Sequence, residues 1–321
     1  MPVGSDLAAR RRAPDVIRHG IVLLAIVVAL ASVPVGDVPL AADAGQRMAI
    51  TIDDLPWNGA TAPGESVAQA TRRLLATLTT RGVPAAGFVN CARTGPNDPV
   101  LLSWREAGME LGNHGAHHLN IDGVDLSAWV KDVRECHDML TMALGRPDRL
   151  FRFPYLHQGA TESRRATALA ALRDMGYTTA HVSIDDSEWI LAEAYGRALR
   201  RGDSDRQDAI ATAYVEHMAA ALAHFTAVAD STVGRDMPHI LLLHANALAA
   251  DHLGRVLDDF RARGVVFVSP ADALTDPIYH EPDRYVGPRG LSWLYRIDPE
   301  GTRTARPTVR APTRLDRRAR R

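Results

Sequence analysis

Apolar residues in this chain fall into two alternating kinds of run, one short and continuous and the other longer with helical spacing. The short runs predict strands at 48–52, 86–89, 150–153, 177–183, 240–243 and 265–268. Between them, apolar residues three or four positions apart predict helices over 67–78, 126–140, 168–175, 210–225 and 253–260. Glycines at 82, 145 and 176 follow three of these helices, as is typical of helix C-termini.

Continuous apolar strands separated by amphipathic helices predict a parallel sheet covered by helices. Polar residues follow several of these strands directly, namely Asp53, Asp54, Arg152, Asp185 and His244. In a barrel such strand ends converge on one mouth, whereas an open doubly wound sheet offers only a crevice. No glycine-rich phosphate loop follows the first strand. We therefore expect an α/β fold with a distorted (β/α) barrel.

The N-terminal segment is expected to lie outside this fold. Arginines at 10–12 and 18 precede an apolar run at 21–30, and small residues follow to position 44, which predicts a secretory signal in 1–44. Pro34, Gly36 and Asp37 interrupt the run, which leaves it short of the roughly 20 residues that span a bilayer. An uncleaved membrane anchor is the alternative. Either reading predicts export, with a catalytic domain at 45–298 in the periplasm or outside the cell.

Charge and composition restrict the classes of binding partner that we expect. The formal net charge is −1 and the basic residues are spread out except at the two ends, so nothing favours nucleic acid. Residues 299–321 hold eight arginines among Thr and Pro, which predicts a disordered basic tail, with contact to an anionic envelope surface as a further hypothesis. The two cysteines, Cys91 and Cys136, could pair in an exported protein or remain buried thiols.

Two histidines and two aspartates are candidates for a metal site. His114 and His118 are four residues apart, so on a helical turn both rings point toward a common centre. With one carboxylate they supply a two-histidine, one-carboxylate set for a divalent cation. His117 leaves the pair His114 and His117 as an alternative. At the end of a strand, Asp53 and Asp54 can both turn into the mouth, one as a ligand and the other as a proton acceptor.

Two further residues suit proton transfer. The guanidinium of Arg152 is shaped to hold a catalytic carboxylate bidentately and keep it ionised. His244 follows four apolar residues and could protonate a leaving group, with Asp185 raising its pKa. Alternatively, Arg152 is an ordinary surface arginine and His244 is a histidine of the core.

The order of these motifs resembles that of the polysaccharide deacetylases, carbohydrate esterase family 4, which share the NodB homology domain. The matching segments lie within roughly residues 48–270 and are Thr51-Ile52-Asp53-Asp54, His114-x-x-x-His118, Arg152-x-Pro154-Tyr155, Asp185-x-x-Glu188-Trp189 and Leu243-His244. The resemblance implies a distorted (β/α) barrel of seven or eight strands. It also implies metal-dependent removal of acetyl groups, usually N-acetyl, from a sugar polymer.

The resemblance also implies roles for residues at the matching positions. The implied metal ligands are Asp54, His114 and His118, with Asp53 as general base and Arg152 orienting it. His244 is the implied general acid, paired with Asp185. The backbone around Tyr155 would help to stabilise the oxyanion, and Trp189 and Leu243 would form the apolar wall for the acetyl methyl group. Zinc suits this ligand set, with cobalt, nickel or manganese as alternatives.

Three positions depart from the family pattern, and they suggest a divergent branch. Leu55-Pro56 stands where many members have glycine, Gly115 replaces a hydroxyl residue, and Glu188 stands where aspartate is common. The polymer therefore stays open among peptidoglycan, a chitin-like glycan and xylan. Two other functions remain as alternatives: a metal amidohydrolase acting on a small non-sugar amide, and a non-catalytic glycan-binding protein.

Overall fold

A buried strand at the start of the domain organises the sheet. The computed structural model describes residues 45–145 and 149–298. The first strand, β1 (Arg47–Leu55), is buried along almost its whole length. It pairs in parallel with β2 (Ala85–Val89) on one side and with β6 (His239–His244) on the other. Because β1 is central, its C-terminal end lies between those of its neighbours.

The sheet has seven parallel strands in the described part of the chain, in the order β5-β4-β3-β2-β1-β6, with β7 paired to the start of β1. The remaining strands are β3 (Glu110–Asn113), β4 (Leu150–Phe151), β5 (Thr178–Thr179) and β7 (Val266–Phe267). Beyond β5, Ile184 forms an isolated parallel bridge with Leu241 of β6, which brings the two outer strands of the sheet toward each other. The prediction of a distorted, parallel (β/α) barrel is confirmed.

Helices cover this sheet, and the sequence pattern predicted five of them. Those five are α1 (Val67–Thr80), α3 (Leu126–Leu144), α4 (Glu162–Asp174), α6 (Ser204–Val233) and α7 (Ala247–Ala262). The pattern did not predict α2 (Pro99–Glu106), α5 (Trp189–Arg201), α8 (Pro270–Ala273) and α9 (Trp293–Ile297), and it also missed β3. Three of these helices, α2, α8 and α9, have eight residues or fewer, too short for helical periodicity to be visible.

An aromatic cluster fixes the strand that leads into Arg152. Trp129 of α3 stacks on Phe153 with ring centroids 5.4 Å apart, and Phe151 meets both rings edge-on. All three side chains are buried. Aromatic pairs of this kind contribute about 0.5–1.5 kcal/mol beyond their buried area. The cluster therefore holds the end of β4 in place on both sides of Arg152.

The last described segment packs against the loop that carries Tyr155. Asp283 accepts hydrogen bonds from the buried guanidinium of Arg296 and lies 3.1 Å from that of Arg165 in α4. Further along, a Cβ atom on Gly290 would overlap the carbonyl oxygen of Tyr155. Glycine therefore permits this close backbone approach. The segment supports the Tyr155 loop from outside the predicted motifs.

Cys91 and Cys136 form a disulfide, with Cα atoms 5.0 Å apart. The sequence had left pairing and free thiols as alternatives. The bond joins the short turn after β2 to α3 and closes a loop with a sequence separation of 45. Backbone N–H groups of Cys91 and Ala92 donate to the carbonyls of Gly115 and Ala116, so this turn also contacts the histidine motif.

Replacing both cysteines with alanine is expected to lower the free energy of unfolding by about 4 kcal/mol, because the unfolded chain regains the freedom of a long loop. Guanidinium denaturation of the oxidised protein and of the double variant measures the difference. The reduced wild-type protein serves as the control and should match the variant. A loss below about 1 kcal/mol would contradict a stabilising disulfide.

The predicted signal or anchor in 1–44 and the predicted tail in 299–321 lie outside the described residues. Among the residues that are described, no helix combines the length and apolar character needed to cross a membrane.

Candidate active site

A cavity of about 440 Å³ lies at the C-terminal ends of the strands. We call it the catalytic cavity. It is lined by Asp53, Asp54, Asn58, His114, His118, Tyr155, Leu156, Asp185, Ser187, Trp189, Leu242 and His244. The fold thus brings eight of the ten predicted site residues around one cavity. Arg152 lies behind Asp53, and Leu243 points elsewhere.

The backbone of this cavity adopts conformations that side chains seldom favour. Five described non-glycine residues have positive φ angles, and all five line the catalytic cavity: Asp54, His118, Tyr155, Leu156 and Ser187. Such residues cost free energy and cluster at functional sites, where the surrounding structure holds them in place. The backbone conformations therefore point to the same cavity as the predicted site residues do, without any use of side-chain chemistry.

The end of β1 turns both aspartates toward the cavity. The pairing of β1 with β2 shifts register between Ile52 and Leu55, and Asp54 has a φ of 65°. A regular strand would send successive side chains to opposite faces. The irregularity cancels that alternation, so Asp53 and Asp54 can both reach the cavity as predicted.

Asp54, His114 and His118 form a compact donor set. One donor atom from each lies within 4.8 Å of the others. Asp54 Oδ1 is 3.8 Å from His114 Nε2 and 3.5 Å from His118 Nε2. Ligand distances of about 2.0–2.2 Å to zinc place neighbouring donors at similar separations. The side chains present therefore fit a divalent cation, and they are the three ligands that the motifs predicted.

Neighbouring groups orient the three donors. His114 Nδ1 lies 2.8 Å from the Arg152 carbonyl oxygen, which directs its Nε2 toward the other donors. Asn90 and Asn58 donate to the two carboxylate oxygens of Asp54, at 2.8 and 2.7 Å. Burial and the nearby His114 lower the pKa of His118 to about 4, so its ring is neutral near pH 7 and has a lone pair to donate.

His117 is not part of the donor set. Its side chain is exposed, and its Nδ1 lies 2.7 Å from Asp132 Oδ1 of α3. The same carboxylate accepts the backbone N–H groups of Ala116 and His117, at 2.9 and 3.0 Å. A Cβ atom on Gly115 would lie 2.6 Å from Asp132 Oδ2, and Gly115 has a φ of 78°. Glycine at this position, one of the departures from the family pattern, thus leaves room for Asp132 to hold the histidine loop.

Asp132→Ala is expected to weaken zinc binding about 10- to 100-fold, because two backbone donors that fix the histidine loop lose their acceptor. His117→Ala is the matched control: it removes the ring contact and keeps both backbone bonds, so zinc affinity should stay within about threefold. Competition with a chromophoric chelator measures both. Equal affinities for Asp132→Ala and wild type would contradict this role.

Arg152 holds Asp53 through one nitrogen. The guanidinium is buried, and its Nη1 lies 3.4 and 3.5 Å from the two oxygens of Asp53. Nε donates to the carbonyl of Ala180 and Nη2 to the hydroxyl of Thr51. The predicted bidentate fork is therefore wrong, because the other nitrogens are already engaged. Burial lowers the pKa of Arg152, while the charges of Asp53 and Asp185 oppose that shift.

His244 is paired with Glu188, and the predicted pairing with Asp185 is wrong. His244 Nδ1 lies 3.2 Å from Glu188 Oε1, which also accepts the backbone N–H of His244 at 2.7 Å. Burial lowers the pKa of His244, but the hydrogen bond and charge of Glu188 outweigh it and raise the pKa to about 9. Asp186 accepts the backbone N–H of Glu188, which orients the buried glutamate at the start of α5. Asp185 remains in the cavity wall.

Leu242, rather than Leu243, faces the catalytic cavity. Leu243 is fully buried in the main core, because successive residues of β6 point to opposite faces and His244 already faces the cavity. Leu242 packs with Leu156 and Val182. Trp189 lines the cavity as predicted and is half exposed.

Tyr155 lies beside the metal donors. Its ring packs edge-on against that of His118, with centroids 4.4 Å apart, and its own φ is 57°. The role of its backbone in oxyanion stabilisation stays a prediction.

Sequence reasoning did not assign several residues of this site. They are Asn58, Asn90, Asp132 and Leu242, together with the role of Glu188. Asn90 and Asp132 act on partners distant in sequence, and Leu242 acts through a strand face, so residue type alone carried no signal. Asn58 contacts Asp54 four residues earlier, but that contact depends on the turn after β1. Glu188 was the exception, since it was already notable as standing in place of an aspartate.

Comparison with known proteins adds three findings. The sequence model of the family described as polysaccharide deacetylase matches residues 41–180. A chitin deacetylase from Pestalotiopsis sp is 27% identical over 161 residues, 49% of this chain and 48% of that protein, so the match spans about half the length of this curated relative.

Two solved structures are similar at 18% identity. The chitin deacetylase from the fungal pathogen Colletotrichum lindemuthianum has a TM-score of 0.51, with 72% of this chain and 88% of that chain covered. The peptidoglycan deacetylase from Bacillus subtilis has a TM-score of 0.49, with 72% and 91% covered. At this identity, the first of these similarities shows a shared fold.

Proposed function

From the match of residues 41–180 to the polysaccharide deacetylase family model, which bears out the predicted resemblance, we propose that this chain is a metal-dependent hydrolase. Its substrate is a carbohydrate polymer or oligosaccharide, from which it removes acetyl groups, N-acetyl in the first instance. The observation that carries the proposal is the donor set Asp54, His114 and His118 beside a separate carboxylate and a paired histidine in one cavity. We also propose that residues 1–44 direct the export of the protein.

The three donors would hold a divalent cation, and zinc is proposed first because two imidazoles and one carboxylate suit it. Such a cation, when bound, polarises an acetyl carbonyl and makes water more acidic. Trp189 and Leu242 supply apolar surface on the cavity wall, where a methyl group can pack. Two further polar groups of the cavity, Asp53 and His244, would transfer protons.

Asp53 is the proposed general base. Its Oδ2 lies 3.6 Å from His114 Nε2, so it sits beside the donor set, and Arg152 holds its two oxygens from behind. A carboxylate in this position accepts the proton of the attacking water. The buried guanidinium of Arg152 fixes the orientation of this carboxylate, with Nη1 3.4 Å from Asp53 Oδ1.

His244 is the proposed general acid. Glu188 occupies its Nδ1 side, which leaves Nε2 as the nitrogen that can face the cavity. With a pKa raised to about 9, the ring is protonated near neutral pH and can deliver a proton to the departing amine. Asp53 and His244 thus provide the base and the acid on a cavity that the donor set shares.

Acetate release from N-acetylated oligosaccharides tests the proposal directly. The purified protein, loaded with zinc, is assayed on fragments of chitin and peptidoglycan, on acetylated xylan fragments, and on small cyclic amides. Release from at least one glycan and none from the cyclic amides is expected. Turnover of the cyclic amides alone would favour the amidohydrolase, and glycan binding without any release would favour the non-catalytic alternative.

Glu188→Gln is expected to move the alkaline limb of the kcat/KM profile to lower pH by about one to two units. Glu188 raises the pKa of His244 by favouring the charged ring, so its removal lets the acid lose its proton earlier. Asp185→Asn is the matched control and should move the limb less. An alkaline limb that stays in place in Glu188→Gln would rule out Glu188 as the group that maintains the acid.

A further inference from the structure

A second cavity, which we call the side cavity, adjoins the catalytic cavity. Its volume is about 250 Å³, and Asn58 and Trp189 line both cavities. Asn58 also donates to Asp54 Oδ2 at 2.7 Å. The side cavity therefore begins one side chain away from the proposed metal ligand. A substrate longer than one sugar unit can extend into it from the catalytic cavity.

Trp189 forms the boundary between the two cavities and is far more exposed than the other tryptophans. Its side chain is 50% exposed, whereas the other four tryptophans, Trp57, Trp104, Trp129 and Trp293, are at most 3% exposed. An exposed indole presents a large apolar surface with little conformational freedom, which suits packing against the apolar face of a sugar ring.

Small residues create the space of the side cavity. Its wall includes Gly59, Ala60, Ala192, Gly196 and Ala247. Gly196 is in the middle of α5, where glycine costs about 1 kcal/mol relative to alanine. A Cβ atom there would meet only ordinary contacts, 3.7 Å from Arg200 Nη1 and 3.8 Å from Ala60 Cβ. Backbone packing therefore does not require glycine at this position, and its missing side chain leaves space in the side cavity.

Arg200 supplies an unused positive charge at this cavity. It lies one helical turn after Gly196 and lines the side cavity. Glu193, the acid of the cavity wall, is already paired with Arg197. In the described part of the chain Arg200 has no carboxylate partner. A guanidinium presents a planar fork that recognises carboxylates.

We propose that the side cavity binds a sugar unit that carries a carboxylate, next to the acetylated unit in the catalytic cavity. Trp189 packs against the ring, and Arg200 binds the carboxylate. This inference rests on the proposed function and makes it more specific: the substrate is an N-acetylated glycan with acidic sugars, and Arg200 and Gly196 determine that specificity.

Binding to an inactive, metal-loaded full-length protein tests this without turnover. In the Asp53→Asn background, calorimetry compares a neutral chitin tetrasaccharide with a peptidoglycan glycan-strand tetrasaccharide, in which alternate sugars carry a lactyl carboxylate. Tighter binding of the acidic glycan, by about tenfold, is expected. Equal affinities would overturn the proposal.

Arg200→Gln and Arg201→Gln form a matched pair, because both arginines are exposed at the end of α5 and only Arg200 lines the side cavity. Arg200→Gln should weaken binding of the acidic glycan about tenfold and that of the neutral glycan less than twofold. Arg201→Gln should change neither. Equal losses from the two substitutions would overturn the role of Arg200.

Gly196→Leu fills the side cavity while favouring the helix. It should weaken binding of both tetrasaccharides, because a leucine side chain takes up the space that the sugar unit would occupy. Unaltered binding by a folded Gly196→Leu protein would overturn the subsite, and if this variant fails to fold, the arginine pair still decides. Should wild type release acetate from no substrate, the proposed function fails, whereas the calorimetric comparison still decides whether the side cavity binds acidic sugars.

Discussion

Asp54→Ala is expected to lose the bound metal and to lower acetate release by a factor on the order of 10³ or more. Among the described residues, only Asp54 places a carboxylate oxygen within 4 Å of both histidine donors, at 3.8 Å from His114 Nε2 and 3.5 Å from His118 Nε2. Without it, two imidazoles remain, which is one ligand short of a catalytic zinc site. Metal content by mass spectrometry and kcat/KM on the active glycan measure the two losses.

Asp185→Asn is the control for the Asp54 substitution, since Asp185 lines the same cavity and is outside the donor set. It should retain one metal ion per chain. Asp54→Ala protein isolated with a full complement of metal would contradict the assigned ligand set.

The second large effect is expected from Asp53→Asn, which should keep the metal and lower kcat about 10²- to 10⁴-fold. An asparagine has nearly the same shape but accepts no proton at neutral pH. The metal should stay because Asp53 approaches His114 but forms no part of the three-residue donor set. Metal analysis and steady-state kinetics on the same sample separate binding from turnover.

The two aspartate variants together decide the division of roles. If Asp53→Asn is isolated without metal and Asp54→Ala with it, the ligand and the base are exchanged. An Asp53→Asn protein with wild-type kcat would mean that another group accepts the proton.

The sequence predicted the position of the first motif because its signal is local. β1 reads as a continuous apolar run, and two carboxylates follow it directly. The sequence pattern could not predict the orientation of the Asp54 side chain, because that orientation depends on a shift of register against β2 and on a positive φ. Strand pairing and backbone conformation of this kind arise from contacts between distant segments.

The wrong prediction that Asp185 pairs with His244 has a similar cause. Asp186 and Glu188 are buried and Asp185 is half-buried, all shortly after the bridge at Ile184, and spacing alone does not say which one meets His244. The choice follows from the turn at Ser187, whose φ is 62°, and from the start of α5, which the sequence pattern had missed. Leu242 could have been chosen over Leu243 once His244 was assigned to the cavity, by strand alternation alone.

The segment after β7 was also missed for a physical reason. Its buried arginine, Arg296, is a residue that sequence reasoning assigns to the surface. Burial is possible because Asp283 neutralises it, and Arg165 of α4 shares the same carboxylate. Such a network is not visible before the fold brings its members together.

We propose that Asp54, His114 and His118 hold the metal on which deacetylation depends. The most direct test of this proposal removes the metal from the wild-type protein with a chelator, confirms the loss by mass spectrometry, and measures acetate release from the active glycan before and after zinc is returned. We expect acetate release to disappear with the metal and to return with about one zinc ion per chain. Undiminished release from protein shown to be metal-free would contradict the proposal.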